Sequence, residues 1–163
     1  FEFGTFCPVM RIHGCRQPYE AVDYGDQGDH EGTGAPNEVW SYSDEVYEIC
    51  KKYLELREKM KPYITDIMKE AHEKGTPVMR PLFYDFPQDK ECWVNDRQYM
   101  FGPDLMVAPV MEEGQREMSV YLPFGSRWTN VWTNETFGGG QVIKTQAPID
   151  EIPLFLRDAA KLF

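Results

Sequence analysis

Pro8-Val9-Met10-Arg11-Ile12-His13-Gly14 is a short apolar run that carries one arginine and ends on a histidine beside a glycine. Read with the two-residue period of a strand, Val9, Arg11 and His13 share one face, and Met10 and Ile12 share the other. A guanidinium and an imidazole are thereby aimed together, which a surface strand does not need. The next segment, Cys15 to Tyr42, is dense in Gly, Asp, Pro and Asn and has no periodicity. A loop well beyond about 15 residues inside a compact domain is usually functional or disordered, and here it reads as the rim of a site.

Working outward, Ser41-Tyr42-Ser43-Asp44-Glu45 reads as a helix start, with a hydroxyl to cap and two acids near the positive end of the helix dipole. Val46, Ile49, Cys50, Tyr53, Leu56, Met60, Tyr63, Ile64, Ile67, Met68 and Ala71 then recur at three- and four-residue steps, so one stripe packs. Pro62 lacks an N–H and crowds the carbonyl four residues back, which predicts a kink or break near Lys59 to Lys61. Gly75 marks the helix end. From Thr76 the period changes to two, with candidate strands at 78–86, 98–110, 116–123, 127–134, 140–146 and 151–157. Asp104, after Gly102-Pro103, suggests that the second of these is two short strands around a turn.

Strand, loop and helix make one βα unit, and its strand must join a sheet that the rest of the chain does not supply. In a (β/α)8 barrel, active sites form at the C-terminal ends of the strands. His13 then sits at that end, with Val9 and Arg11 in lower layers of the interior and the loop overhanging. The fold class expected is α+β: residues 1–75 as the last strand-loop-helix unit of a barrel, and residues 76–163 as an antiparallel β-sandwich domain that stops incomplete.

The 163 residues are 42% hydrophobic, 14% aromatic and 27% charged, ordinary for a folded soluble protein. A net charge of -10 argues against nucleic acid or an anionic membrane surface as partner and leaves neutral ligands open. No apolar run approaches the roughly 20 residues that span a bilayer. Cys7, Cys15, Cys50 and Cys92 fit neither a zinc site nor a small disulfide framework, so free thiols in a reducing, cytoplasmic compartment are expected. The chain opens without Met in an aromatic-rich stretch, Phe1 to Phe6, and is expected to be an internal piece of something longer. In that case it exposes a strand edge and a helix stripe, and self-association is expected.

Candidate sites divide unevenly. His13 reads either as a structural histidine satisfied by a carbonyl or as a functional one at a strand end; Arg11 either holds a buried carboxylate or touches substrate. Asp23, Asp26, Asp29 and Glu31 miss the EF-hand order, because Gly28 falls where a ligand belongs. His30 and His72 have no partner at metal spacing, and neither a metal nor a cofactor is expected. Asn134-Glu135-Thr136 is a glycosylation sequon that counts little without a secretory signal. Trp128 and Trp132, four apart, read either as core packing or as a sugar-stacking platform; the second reading makes the chain a non-catalytic carbohydrate-binding module.

Phe6-Cys7-Pro8-Val9-Met10-Arg11-Ile12-His13-Gly14, Gly75-Thr76-Pro77-Val78-Met79-Arg80-Pro81-Leu82, Asp96-Arg97-Gln98-Tyr99-Met100-Phe101-Gly102, Leu105-Met106-Val107-Ala108-Pro109-Val110 and Ile152-Pro153-Leu154-Phe155-Leu156-Arg157 resemble glycoside hydrolase family 31 over nearly the whole chain. The resemblance implies the last strand and helix of a catalytic barrel followed by a β-sandwich, from a retaining α-glucosidase, α-xylosidase or relative. Retention needs two carboxylates about 5–5.5 Å apart, as nucleophile and acid/base. The family's pair are aspartates on earlier barrel strands and match no Asp here, so no catalytic residue is assigned and the isolated chain is expected to be inactive. His13 matches the family histidine that hydrogen-bonds the sugar, and Arg11 stays beside it as a substrate-binding candidate. The partners implied are a carbohydrate substrate and the remainder of the catalytic domain. The Cys15 to Trp40 loop is longer than the family pattern, and the chain after Arg157 departs from it.

Overall fold

The computed structural model describes residues 1–13, 16–20, 33–158 and 160–162, with 16–20 and 33–35 as backbone only. A one-turn helix α1 (Glu2–Thr5) opens the chain. Strands β1 (Arg16–Glu20) and β2 (Thr33–Ala35) pair antiparallel with an irregular register, so the expected loop contains a hairpin. The acidic run Asp23 to Glu31, with His30, lies outside the described residues. A 3-10 turn at Val39–Ser41 leads into α2 (Asp44–Lys59). Ser43 caps it, its hydroxyl accepting from the Val46 N–H at 3.3 Å.

The expected break falls at Met60, which ends α2 and begins α3 (Lys61–Lys74), with Pro62 in the first turn of α3. A proline costs nothing there, because first-turn N–H groups have no helical partner. Gly75 closes α3 in the left-handed conformation, at φ 70°.

The remainder is β3 (Met79–Pro81), α4 (Leu82–Asp85), α5 (Glu91–Val94), β4 (Tyr99–Phe101), β5 (Leu105–Val107), β6 (Glu117–Leu122), β7 (Arg127–Asn130), β8 (Thr136–Gly138), β9 (Gln141–Gln146) and β10 (Leu154–Arg157). Six of the strands form one antiparallel sheet in the order β3-β4-β5-β10-β7-β8, and β6 pairs with β9 as a separate ribbon. Two expected strands stop well before their predicted ends. Residues 82–85 are helical, because Pro81 cannot donate to a ladder and the chain leaves the sheet there. Strand 127–134 ends at Asn130, whose side-chain oxygen accepts from the N–H groups of Trp132 and Thr133 and starts a turn through Asn134 at φ 58°.

The six-stranded sheet is the middle of three layers. Phe101, Leu105, Val107 and Leu154 face the helices, packing with Phe6, Tyr53, Met60 and Ile67. Their strand neighbours Met100, Met106 and Phe155 face the other way, onto Trp128, Val120, Leu122, Phe86 and Cys92. Successive side chains alternate between faces, so a strand covered on both sides has no polar position, and all three residues of β5 are fully buried.

Helix and sheet are also joined by specific bonds. The Tyr63 hydroxyl donates to the Phe101 carbonyl at 2.8 Å and accepts from the Asp104 N–H at 3.2 Å. Tyr53 donates to the Asp150 carbonyl at 3.1 Å and accepts from the Ile152 N–H at 2.9 Å. Burial pushes both phenols well above their ordinary values, so they stay neutral and keep the donor each joint uses.

Candidate functional site

Among the described residues, Pro8 to His13 pairs with no strand. Ile12 and His13 both line one cleft, and Arg11 is exposed outside that lining. Val9 is 78% exposed and Ile12 44%, unlike the buried strands of the sheet.

The cleft has a volume of about 510 Å3 and is lined by Ile12, His13, Asn37, Glu38, Val39, Trp40 and Leu54. Three elements build it: the segment ending at His13, the 3-10 turn after β2, and the exposed side of α2, which contributes Leu54. The turn places its residues firmly. Val39 is buried beneath it, the Ser41 N–H donates to the Glu38 carbonyl at 2.8 Å, and the Ser41 hydroxyl donates to the Glu38 carboxylate at 3.0 Å. Tyr42 donates its hydroxyl to the Asn37 side-chain oxygen. Trp40 is then thrown outward, 71% exposed, on the wall shared with His13.

An open cleft with one indole, one imidazole, one amide and one carboxylate suits a small polyhydroxylated ligand. A flat ring covers the C–H face of such a molecule, while the polar groups bond its hydroxyls. Asn37, Glu38 and Trp40 stand at the end of an aperiodic loop, where sequence gave no reason to group them with His13. The available signal was a tryptophan three residues before a helix cap, a position that leaves a large ring without a core to enter. Among the described residues, no group of three metal-ligating side chains converges.

The other candidates fall elsewhere. Trp128 is wholly buried and donates its indole N–H to the Pro123 carbonyl at 3.0 Å. Trp132 lies beyond the end of β7, donates to the Ile152 carbonyl at 2.7 Å and meets Tyr53 edge-on. The two rings do not form a shared platform; both pack. Cys7, Cys50 and Cys92 are free thiols, and burial and the neighbouring Asp89 push Cys92 up to about 12, so it is inert as a nucleophile.

Arg57, on α2, sits behind the segment that leads to His13. Its guanidinium donates to the carbonyls of Thr5, Cys7 and Pro8, the last two at 2.9 and 3.1 Å. Burial holds it somewhat below its usual value, and among the described residues no carboxylate pairs with it. Among the described residues, the bonds it makes are to backbone.

With this geometry in place, comparison with known proteins is specific. Residues 1–67 match the profile of the "Glycosyl hydrolases family 31 TIM-barrel domain", and residues 75–160 that of the "Glycosyl hydrolase family 31 C-terminal domain". An α-xylosidase of Saccharolobus solfataricus is 36% identical over 99% of this chain and 20% of its own length. Alpha-glucosidase 2 of Bacillus thermoamyloliquefaciens is 32% identical over 99% of this chain and 18% of its own. The chain thus spans about a fifth of the curated relatives it matches. A family 31 α-xylosidase from a soil metagenome, solved with xylose, superposes at a TM-score of 0.94 with 50% identity, over 99% of this chain and 24% of that one. The chain belongs to glycosyl hydrolase family 31, as the end of its TIM barrel and the β-rich domain that follows.

Proposed function

We propose that this chain is the C-terminal part of a retaining α-glycosidase that releases a terminal α-linked xylose or glucose. In this reading residues 1–75 close the catalytic barrel and residues 76–163 form the supporting β-domain. His13 binds the sugar, and the two catalytic carboxylates belong to barrel strands outside this chain. The observation that carries it is the meeting of His13 with exposed Trp40 in an open cleft, within the stretch that matches the barrel profile. An imidazole can orient a sugar hydroxyl without adding a third negative charge beside two carboxylates. Similarity to α-xylosidases, and to one solved with xylose, favours α-xylosides as the first substrates to try.

The isolated chain should not hydrolyse a chromogenic α-xyloside or α-glucoside. Turnover at ordinary enzyme rates would place the catalytic pair within these residues and sink the reading. In the complete enzyme, His13→Ala should lower kcat/KM about tenfold to a hundredfold, the range of one or two hydrogen bonds to the reacting sugar. Unchanged kcat and KM would remove His13 from the site.

A further inference from the structure

Four consecutive carbonyls, Thr5 to Pro8, are captured by two side chains from different parts of the fold. Arg57 of α2 takes those of Thr5, Cys7 and Pro8, and the hydroxyl of Tyr99 in β4 donates to that of Phe6 at 2.9 Å. A run of carbonyls without a β-ladder normally turns to water. Here it turns inward, and Phe6 is fully buried. The phenol is itself fixed, since Tyr99 lies in a strand opposite Pro81 and Val107 and meets the Phe3 ring edge-on at 5.9 Å.

Beyond Pro8, the Thr5 hydroxyl approaches the Met10 sulfur at 3.9 Å and Ile12 and His13 line the cleft, so the gripped carbonyls lie immediately before the histidine-bearing segment. The fork of Arg57 reaches three carbonyls at once, which a lysine's single ammonium cannot reproduce in the same geometry.

We propose that Arg57 and Tyr99 are positioning residues that fix the chain entering His13, so that the β-domain, through Tyr99, holds the sugar-contacting histidine in place. The proposal rests on the reading of His13 given above and adds a role for the second domain: it supplies the anchor from which the barrel residue reaches the substrate.

The test is a double-mutant cycle in the complete enzyme, with Arg57→Lys and Tyr99→Phe each made in the native and His13→Ala backgrounds. A displacement of about 1 Å is enough for large kinetic effects, so each clamp variant should lower kcat/KM about tenfold in the native background and have almost no further effect once His13 is gone. The same factor in both backgrounds would overturn the proposal, because it would mean that the clamp acts on general stability and not through His13. Hydrogen exchange separates this from the site reading. The amides of Phe6 and Cys7, which donate to the Phe3 and Gly4 carbonyls at 3.1 and 3.2 Å, should exchange faster in Arg57→Lys, and unchanged exchange there overturns the clamp whatever the kinetics. If His13→Ala is itself without effect, the site reading falls and takes with it the catalytic consequence of the clamp, while the exchange result still decides whether the clamp exists.

Discussion

Strand β5, Leu105–Val107, and the segment Pro8–His13 have similarly apolar sequences, yet they end in opposite states. Every residue of β5 is fully buried and paired on both edges, by β4 and β10. In Pro8–His13, Val9 and Ile12 stay exposed, and the entry to the segment is gripped through the Cys7 and Pro8 carbonyls. The difference lies in the neighbours that each run finds. The middle sheet finds a helix layer on one face and a ribbon on the other within this chain, whereas the run before His13 opens onto a cleft. The first arrangement serves stability, and the second sets His13 on a cleft wall.

Substitutions sharpen that contrast. Trp128→Ala, in the layer between sheet and ribbon, should cost about 4 kcal/mol, since it empties a fully buried site and leaves the Pro123 carbonyl without its donor. Urea unfolding of this chain measures it, and a cost under about 1 kcal/mol would mean that the layer is not the core described here.

Asp89 offers a smaller effect with a defined pH signature. Burial works against its charge, but it accepts from the Phe124 N–H at 2.8 Å and the Tyr121 hydroxyl at 2.7 Å, and these bonds hold its carboxyl below the usual range. A depressed folded-state value means that its contribution is present above the unfolded value near 3.8 and is lost as pH falls through the folded value. Asp89→Ala should therefore cost about 1–2 kcal/mol at neutral pH, with the gap between variant and native closing on acidification below about pH 4. A gap independent of pH would show that the carboxylate charge is not what holds the α5 turn to β6.

Val9→Ser should change unfolding free energy by less than about 0.5 kcal/mol, as a surface substitution does. Sedimentation of the isolated chain should show it self-associating, and less so with Val9→Ser if the exposed segment is the sticky face. A stability loss of about 2 kcal/mol would instead put Val9 inside a core.

Much of this was legible in the residues. Ser43, Pro62 and Gly75 marked the start, break and end of the helices through backbone chemistry that acts within a few positions, and Gly102-Pro103-Asp104 marked the turn between β4 and β5. The misses involved contacts distant in sequence. Residues 82–85 looked like a continuing strand, because an apolar run has the same composition in a buried strand and a buried one-turn helix. Trp128 and Trp132 looked like a pair until a turn after Asn130 separated them. Asn37, Glu38 and Trp40 join His13 only because a 3-10 turn and α2 place them on one wall.

The sequence by itself determined the helices and their break and the antiparallel character of the β-domain, since local periodicity and turn chemistry need no distant partner, and its separated motifs carried the resemblance to the family. Only the tertiary structure decided that the six-stranded sheet is covered on both faces, that Trp128 belongs to the core, and that Arg57 and Tyr99 grip the chain before His13. Those outcomes depend on which surfaces meet across tens of residues, and a carbonyl in the sequence carries no mark of the donor that will find it.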